Sequence, residues 1–358
     1  MGAQDSVVGR ARTLAKALTT PLAPDDYLTL INPLWSAREL RGRIERVVPE
    51  TDNAASLVIR PGWGWTFDHA PGQYIGIGVQ MDGKFTWRSY SLSSPPLREG
   101  RTIAITVKAM PEGLMSEHLV RGLEPGTIVR LAAPQGDFVL PDPPPARMLF
   151  LVGGSGITPV MSMLRTLDRR GTVPDVDLVY SARNEADMMF AAELREYAST
   201  HDGLRLHERH TDRDGFFELP ELDDLVPDWR ERDTWACGPA AMLDDIVEHW
   251  DAADVGDRLH VERFSLSMAG DEAAGGTVTF GSTGKSAEVD GATTLLEAGE
   301  SVGVQMLYGC RMGICHTCDV PLASGRVRDL RTGEEHDQQN EYIQTCVSVA
   351  AGDCTLAI

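Results

Sequence analysis

The stretch Cys310-Arg311-Met312-Gly313-Ile314-Cys315-His316-Thr317-Cys318 carries the clearest signal in the chain. Its three cysteines have the spacing C-x₄-C-x₂-C, and a fourth cysteine, Cys346, follows closer to the C-terminus. Four thiolates at this spacing are typical of a [2Fe–2S] cluster. Gly313 lets the loop fold tightly where a side chain would crowd the inorganic sulfides. We therefore predict a cluster whose ligands are Cys310, Cys315, Cys318 and Cys346.

Two other uses of these cysteines stay open at this point. A structural zinc site usually has paired C-x₂-C units, whereas this stretch has one such pair and an offset cysteine. A disulfide framework is typical of short secreted chains, but this chain has 358 residues and six cysteines. The spacing favours the iron–sulfur cluster over both alternatives.

Composition indicates a globular protein with an acidic surface. The chain is 42% hydrophobic and 24% charged, and its formal net charge is −20. Such a charge argues against nucleic acid as a partner. The sequence has no run with the length of a membrane span and no recognisable secretory signal. We expect a cytoplasmic protein, since that compartment also keeps thiolates reduced for a cluster.

Periodicity divides the chain into an N-terminal arm, residues 1–39, and three domains. Short β-rich runs with glycine and proline turns predict an antiparallel β-barrel over 40–143. Alternating strands and helices predict an α/β nucleotide-binding domain with a parallel sheet over 146–266. The cysteine-containing domain covers 275–358. The apolar residues of the arm favour packing against the body of the protein over a docking surface for a partner or a membrane.

Arg88-Ser89-Tyr90-Ser91 lies at the end of a predicted barrel strand. An arginine can bind a pyrophosphate through two hydrogen bonds, a tyrosine can stack on a flavin ring, and a serine hydroxyl can reach a ring nitrogen. Further on, Val107 and Lys108 precede Gly113-Leu114-Met115-Ser116, where the glycine allows close approach of the backbone to a phosphate. Each piece alone fits an ordinary turn, but the combination favours a flavin site.

A second glycine-rich turn, Gly153-Gly154-Ser155-Gly156-Ile157-Thr158-Pro159, follows a buried strand and opens a helix. It departs from the standard dinucleotide fingerprint because Pro159 stands where the third glycine is expected. The position at a helix N-terminus nevertheless favours pyrophosphate binding. Later, Cys237-Gly238-Pro239 follows another strand. Cys237 is either a plain buried thiol or a nicotinamide contact, and its place after a strand favours the contact.

Taken in order, these motifs resemble those of the ferredoxin–NADP reductase family. The C-terminal domain resembles the plant-type ferredoxin domain, an α+β fold of the β-grasp type, found in reductase components of oxygenases and fatty-acyl desaturases. The resemblance covers about 40–358. With its arm, the chain most resembles actinobacterial reductases that serve membrane-bound acyl-CoA desaturases.

The resemblance implies a role for each matching residue. Arg88 would hold the diphosphate of FAD, Tyr90 would pack on the isoalloxazine, and Ser91 would bond near its N5. Gly113, Leu114, Met115 and Ser116 would contact the ribityl–phosphate region. Ser89, Val107 and Lys108 are further predicted cofactor-binding residues.

For the nicotinamide cofactor, the resemblance implies two groups of residues. Phosphate and ring contacts would come from the glycine turn and the later strand end: Gly153, Gly154, Gly156, Thr158, Cys237, Gly238 and Pro239. Glu262 and Phe264 match an acid and an aromatic residue near the flavin. Ser91, Cys237 and Glu262 are thereby the candidate catalytic residues.

The end of the second α/β strand bears on the choice of nicotinamide cofactor. NAD-binding enzymes often place an acidic residue there, which bonds the ribose hydroxyls. Here the strand ends in Ser181-Ala182-Arg183, and a hydroxyl with an arginine suits a 2′-phosphate. We predict NADPH, although Glu185 and Asp187 keep NADH open.

The sequence thus predicts a reductase that passes electrons from NADPH through FAD and a [2Fe–2S] cluster to a separate terminal oxygenase. We expect that acceptor to be a membrane fatty-acyl desaturase, with peripheral contact between a monomeric reductase and its membrane-bound partner. The alternatives are a reductase of a soluble Rieske, di-iron or P450 hydroxylase, and a redox carrier or sensor without turnover.

Overall fold

A computed structural model describes residues 24–36, 40–81, 84–96, 102–110, 113–264, 275–289, 293–308, 316–329 and 334–358. Contacts group the chain into two compact units. One comprises Met1–Thr86, Tyr90–Met148 and Ile157–Phe216, and the other comprises Trp87–Ser89, Leu149–Gly156 and Phe217–Ile358. Among the helices within these described ranges, none is long and apolar enough to cross a membrane.

The first sheet is antiparallel and six-stranded, with the order β4-β3-β6-β1-β2-β5. A short helix precedes it, and the elements of this region are α1 (Pro24–Ile31), β1 (Arg41–Thr51), β2 (Ala54–Pro61), β3 (Tyr74–Met81), β4 (Lys84–Ser91), β5 (Ile103–Lys108), α2 (Leu114–Glu117) and β6 (Ile128–Leu131). A π-helical turn, His118–Gly122, follows α2 directly. Branched aliphatic side chains such as Ile44, Ile59 and Ile105 are fully buried in its core, as expected for strands with one face inward. The predicted antiparallel flavin domain is thus confirmed.

The second sheet has five strands in the order β11-β10-β7-β8-β9. Its elements are β7 (Arg147–Gly153), α3 (Ile157–Arg170), β8 (Asp175–Ala182), α4 (Ala191–Thr200), β9 (Leu204–His210), α5 (Thr211–Asp214), α6 (Leu222–Leu225), β10 (Asp233–Cys237), α7 (Ala240–Ala252) and β11 (Leu259–Glu262). The pairs β8–β9 and β10–β11 are parallel. After its first residue β7 is buried throughout, which is typical of strands covered on both faces. The predicted α/β class is confirmed.

The third sheet is mixed and has the order β13-β12-β17-β14-β15, with β16 paired to β14. Its elements are β12 (Gly276–Phe280), β13 (Lys285–Val289), α8 (Leu295–Ser301), β14 (Asp319–Asp329), β15 (Glu335–His336), β16 (Tyr342–Gln344) and β17 (Ser348–Leu356). The side chain of Thr294 caps α8, and Glu297 closes the reciprocal bond of a capping box. This arrangement confirms the predicted α+β ferredoxin domain.

The sequence predicts a helix over Met188–Thr200 and a short amphipathic helix over Arg10 to Leu18. The first begins at Ala191 instead, because Phe190 has a left-handed backbone with φ of 59°. The second lies outside the described residues. Leu34 of the arm is buried, and its carbonyl accepts a hydrogen bond of 2.9 Å from the backbone N–H of Trp63.

Candidate functional site

The flavin segment lies at the end of β4. Arg88 and Ser89 are exposed there, Tyr90 is half-buried, and Ser91 is only 4% exposed. The Ser91 hydroxyl is buried and has no hydrogen-bond partner among the described residues. A buried hydroxyl without a partner is costly, so this atom fits a ligand that supplies the missing bond, as a flavin ring nitrogen would.

The second flavin segment is organised largely by its own side chains. The Ser116 hydroxyl donates to the Gly113 carbonyl at 2.9 Å and accepts from the Met110 N–H at 3.0 Å. A Cβ added at Gly113 would lie 2.5 Å from that hydroxyl oxygen, so the turn needs glycine. The Ser116 hydroxyl therefore stabilises the turn at Gly113, and it donates its proton to a carbonyl of that turn.

The other residues predicted for this segment differ in their surroundings. Val107 and Met115 are buried in the barrel core, and Leu114 is 79% exposed. Lys108 forms a 3.8 Å ion pair with Asp187, which follows β8. Lys108 and Asp187 thus neutralise each other at this edge of the first unit.

The glycine turn packs against the end of β10. Gly154–Gly156 forms a 3₁₀ turn between β7 and α3. A Cβ at Gly156 would overlap the carbonyl oxygen of Cys237, and a Cβ at Gly153 would lie 2.7 Å from the Pro239 ring. The structure therefore brings together the two motifs predicted to hold the nicotinamide cofactor, and it requires glycine where they touch.

Cys237 and Glu262 are neighbours across the parallel pair β10–β11. Cys237 is fully buried, and burial raises the pKa of its thiol well above the ordinary value. Burial also raises the pKa of Glu262 to about 8, and its Oε2 has no partner within the described part of the chain. Burial thus favours the neutral form of both groups, and the Glu262 carboxyl can hold a proton beside the thiol. Phe264, 43% exposed, follows two residues later.

Ser181 and Arg183 lie at the C-terminal end of β8, as predicted. Ser181 pairs in register with Arg209 of β9, so the two residues are adjacent on the sheet. Arg209 donates to the Gly215 and Phe216 carbonyls, both at 3.0 Å. Sequence reasoning missed Arg209, because β9 carries too many charged residues to be recognised as a strand.

The acidic residues near this strand end already have cationic partners. Arg195 bonds both oxygens of Glu185 and both oxygens of Glu208 at 2.6 to 2.8 Å. His210 brings a ring nitrogen to 3.5 Å from Glu185. Glu185, Glu208 and His210 lie close enough together to bind a metal ion, but the guanidinium of Arg195 already supplies the positive charge beside the two carboxylates.

Two of the four predicted cluster ligands lie within the described residues. The sulfur atoms of Cys318 and Cys346 are 3.2 Å apart, both thiols are buried, and neither is in a disulfide. The neighbouring Cys346 sulfur lowers the pKa of Cys318 to about 6. Two converging buried thiols, of which Cys318 has a lowered pKa, fit metal ligation. Cys310 and Cys315 lie outside the described residues.

Three domain families match the chain in order. Residues 64–140 match the oxidoreductase FAD-binding domain, 150–248 the oxidoreductase NAD-binding domain, and 278–351 the 2Fe-2S iron-sulfur cluster binding domain. An NADPH oxidoreductase of Mycobacterium tuberculosis is 58% identical over 97% of this chain and 92% of its own length. The chain belongs to the ferredoxin–NADP reductase family.

Other relatives of this reductase are components of oxygenase systems. The glycine betaine monooxygenase reductase subunit of Pseudomonas aeruginosa is 31% identical over 91% of this chain and 98% of its own length. The structure of phthalate dioxygenase reductase shares the fold, with a TM-score of 0.63 and 23% identity over 89% of this chain and 98% of its own. The reductase thus has FAD-binding, NAD-binding and 2Fe-2S domains, which confirms the predicted cofactors and excludes the zinc and disulfide alternatives.

Proposed function

We propose that this reductase carries electrons from NADPH through FAD and the [2Fe–2S] cluster to a separate oxygenase. The observation that carries the proposal is the pair of converging buried thiols, Cys318 and Cys346, in a chain that also has flavin and nicotinamide domains. FAD, when bound, accepts a hydride and releases its two electrons one at a time, which a one-electron cluster requires.

The protein's own residues supply placement and protonation. Arg88 and the loop at Gly113 would hold the flavin phosphates, while the Ser91 hydroxyl would bond the flavin ring. Cys237 and Glu262 would lie beside the reacting rings. Because burial favours the neutral form of both side chains, it disfavours a buried negative charge on the hydride path.

The residues at the end of β8 support NADPH over NADH. Arg183 is exposed and makes no ion pair within the described residues. The two acids that could bond the ribose hydroxyls of NADH are engaged, Glu185 by Arg195 and Asp187 by Lys108. A 2′-phosphate would therefore meet a free guanidinium and few competing acids.

Replacing Arg183 with alanine should weaken the use of NADPH far more than that of NADH. A charge-assisted bond to phosphate contributes about 1.5–3 kcal/mol, so kcat/KM for NADPH should fall roughly ten- to a hundredfold. Arg121→Ala removes another exposed arginine, whose ion pair in the described part of the chain is with Glu117, and should leave kcat/KM unchanged for both cofactors. Equal losses with both cofactors in the Arg183 variant would refute the assignment.

For the acceptor, we propose a membrane fatty-acyl desaturase, since the arm and Trp63 give the first unit an exposed apolar face. Leu30 is 80% exposed, Ile31 74%, Trp63 69% and Trp35 40%. The Trp35 and Trp63 rings lie 6.3 Å apart, beside an open cavity of about 570 Å³. Tryptophans combine an apolar body with a polar N–H and are enriched at membrane interfaces, which supports peripheral contact with a bilayer.

Vesicle binding tests this part of the proposal. The reductase should cosediment with phosphatidylcholine vesicles, which carry no net charge to repel this acidic chain, and Trp63→Ser should lower the partition constant about tenfold, because one large apolar side chain contributes about 1.5–3 kcal/mol. Phe216→Ser removes an even more exposed aromatic residue of the same unit, 80% exposed, and should leave binding unchanged. If the wild-type chain does not bind vesicles, an acceptor of the monooxygenase kind named for its relatives is the better proposal.

A further inference from the structure

Three polar donors follow Thr158 along one face of α3. Thr158, Ser162, Arg165 and Arg169 are spaced four, three and four residues apart, so they lie in one row along the helix. Ser162 is fully buried and Arg165 is 21% exposed in its side chain, whereas Arg169 is exposed. The rest of the buried helix surface is mostly apolar, which makes this polar row unusual for a core-facing helix.

All three donors bind backbone carbonyls of one short segment, residues 93–96, which begins two residues after Ser91. The Ser162 hydroxyl donates to the Ser94 carbonyl at 2.8 Å. One Nη of Arg165 donates to the Ser93 carbonyl, and one Nη of Arg169 donates to the Pro96 carbonyl, both at 2.7 Å. The helix that carries Thr158 is thus bonded to the continuation of the flavin segment.

Arg165 is held in place by a second set of contacts. Its Nε and other Nη donate to both carboxylate oxygens of Glu193 in α4, at 2.8 and 2.6 Å. The Tyr197 hydroxyl donates to the same carboxylate at 2.9 Å, and the guanidinium lies 5.0 Å from the centre of the Phe190 ring. A bidentate pair fixes the direction of the guanidinium, so its remaining N–H is aimed at Ser93.

The segment is also anchored from the barrel side. The Ser93 hydroxyl accepts from Thr106 at 2.8 Å, and Thr106 is bonded to Ser56 at 2.7 Å. His69 donates to the Ser94 carbonyl at 3.2 Å, since a carbonyl can only accept. The barrel strands and α3 therefore hold the same few peptide groups from opposite sides.

We propose that Ser162, Arg165 and Arg169 form a polar latch that sets the position of α3, and with it Thr158, relative to the flavin segment Tyr90–Ser91. In this role Arg165 is a positioning residue for hydride transfer. The latch rests on the nicotinamide and flavin roles proposed above for Thr158 and Ser91. The latch would affect the rate by fixing the distance between the reacting groups, because a displacement of about 1 Å between them can slow a reaction roughly a hundredfold.

The test is anaerobic rapid mixing of the FAD- and cluster-containing protein with NADPH at several concentrations, followed by flavin absorbance. Arg165→Ala should lower the limiting rate of flavin reduction about ten- to a hundredfold, while the apparent Kd for NADPH and the FAD content stay close to those of the wild type. Arg169→Ala removes one exposed bond and should lower that rate about two- to tenfold. Arg170→Ala is the matched control, since among the described residues this neighbour forms an ion pair with Asp142 alone, at 3.2 Å, and should leave the rate unchanged.

Amide hydrogen exchange without any nicotinamide supplies a second measurement. Arg169→Ala should speed exchange in the peptide that contains residues 93–96, and Arg170→Ala should not. Should Arg165→Ala fail to fold because Glu193 is left unpaired, the Arg169 and Arg170 variants decide the question. Wild-type rates and exchange in Arg169→Ala, or equal changes in both variants, would overturn the latch. A wild-type flavin that NADPH does not reduce would instead refute the proposed function.

Discussion

Replacing Cys346 with alanine should abolish electron transfer to a one-electron protein acceptor while NADPH still reduces the flavin. The Cys346 sulfur lies 3.2 Å from that of Cys318, so its loss removes a ligand that has no substitute among the described residues. The wild-type protein should contain about two irons and two acid-labile sulfides per chain, and the variant far less. We expect the rate of electron transfer to the acceptor to fall at least about a thousandfold, because the proposed path to the acceptor passes through the cluster.

Cys354→Ala is the matched control. Cys354 is another buried thiol of the same domain, in β17, and burial with the nearby Asp353 charge raises its pKa to about 11. Its loss should leave iron content and electron transfer unchanged. Full iron content in the Cys346 variant, or loss of iron in the Cys354 variant, would show that the ligands are assigned wrongly.

The second large effect is expected at Gly156. A Cβ there would overlap the Cys237 carbonyl oxygen, so alanine must push the glycine turn away from Cys237-Gly238-Pro239. Overpacking of this kind typically costs about 1–3 kcal/mol, and displacement of the turn should lower flavin reduction by NADPH about a hundredfold. Cluster content should not change.

Gly171→Ala provides the comparison. This glycine follows the other end of α3, with φ of 69°, and nothing lies within 4 Å of its added Cβ. The substitution should cost about 1 kcal/mol of backbone strain and leave flavin reduction intact. Similar kinetics in the Gly156 and Gly171 variants would mean that contact between the turn and β10 has no part in the reaction.

Local sequence patterns were sufficient to predict much of the fold. The short β-rich runs of β1 and β2, the apolar run of β7 and the glycine turn before α3 each reflect a local rule of strand or turn formation. By contrast, β9 reads as LRLHERH, with only its first and last residues buried. It is a strand because Arg205 and His207 pair with the buried Asp177 on the neighbouring β8. Such pairing between strands is tertiary, and no window of sequence contains it.

The candidate site was likewise predictable where it depends on local motifs and not where it depends on tertiary contacts. The residue types at Ser91, Cys237 and the four cysteines could be selected from motifs. Cys237 and Glu262 are adjacent because β10 and β11 are neighbours in the sheet, and strand order cannot be read from a local pattern. The hydrogen bond from Arg165 to Ser93 joins residues 72 positions apart, so it also lies beyond any local pattern. The exposed tryptophan face is likewise a result of folding, because buried and exposed tryptophans look alike in sequence.

The central claim is the order of electron flow, and anaerobic rapid mixing with NADPH followed by freeze-quench EPR tests it most directly. The flavin absorbance should fall first, and the cluster signal should rise afterwards with a rate that depends on the flavin step. In Cys346→Ala the flavin should be reduced at the wild-type rate with no cluster signal. A cluster that NADPH reduces equally fast after FAD has been removed would contradict the account.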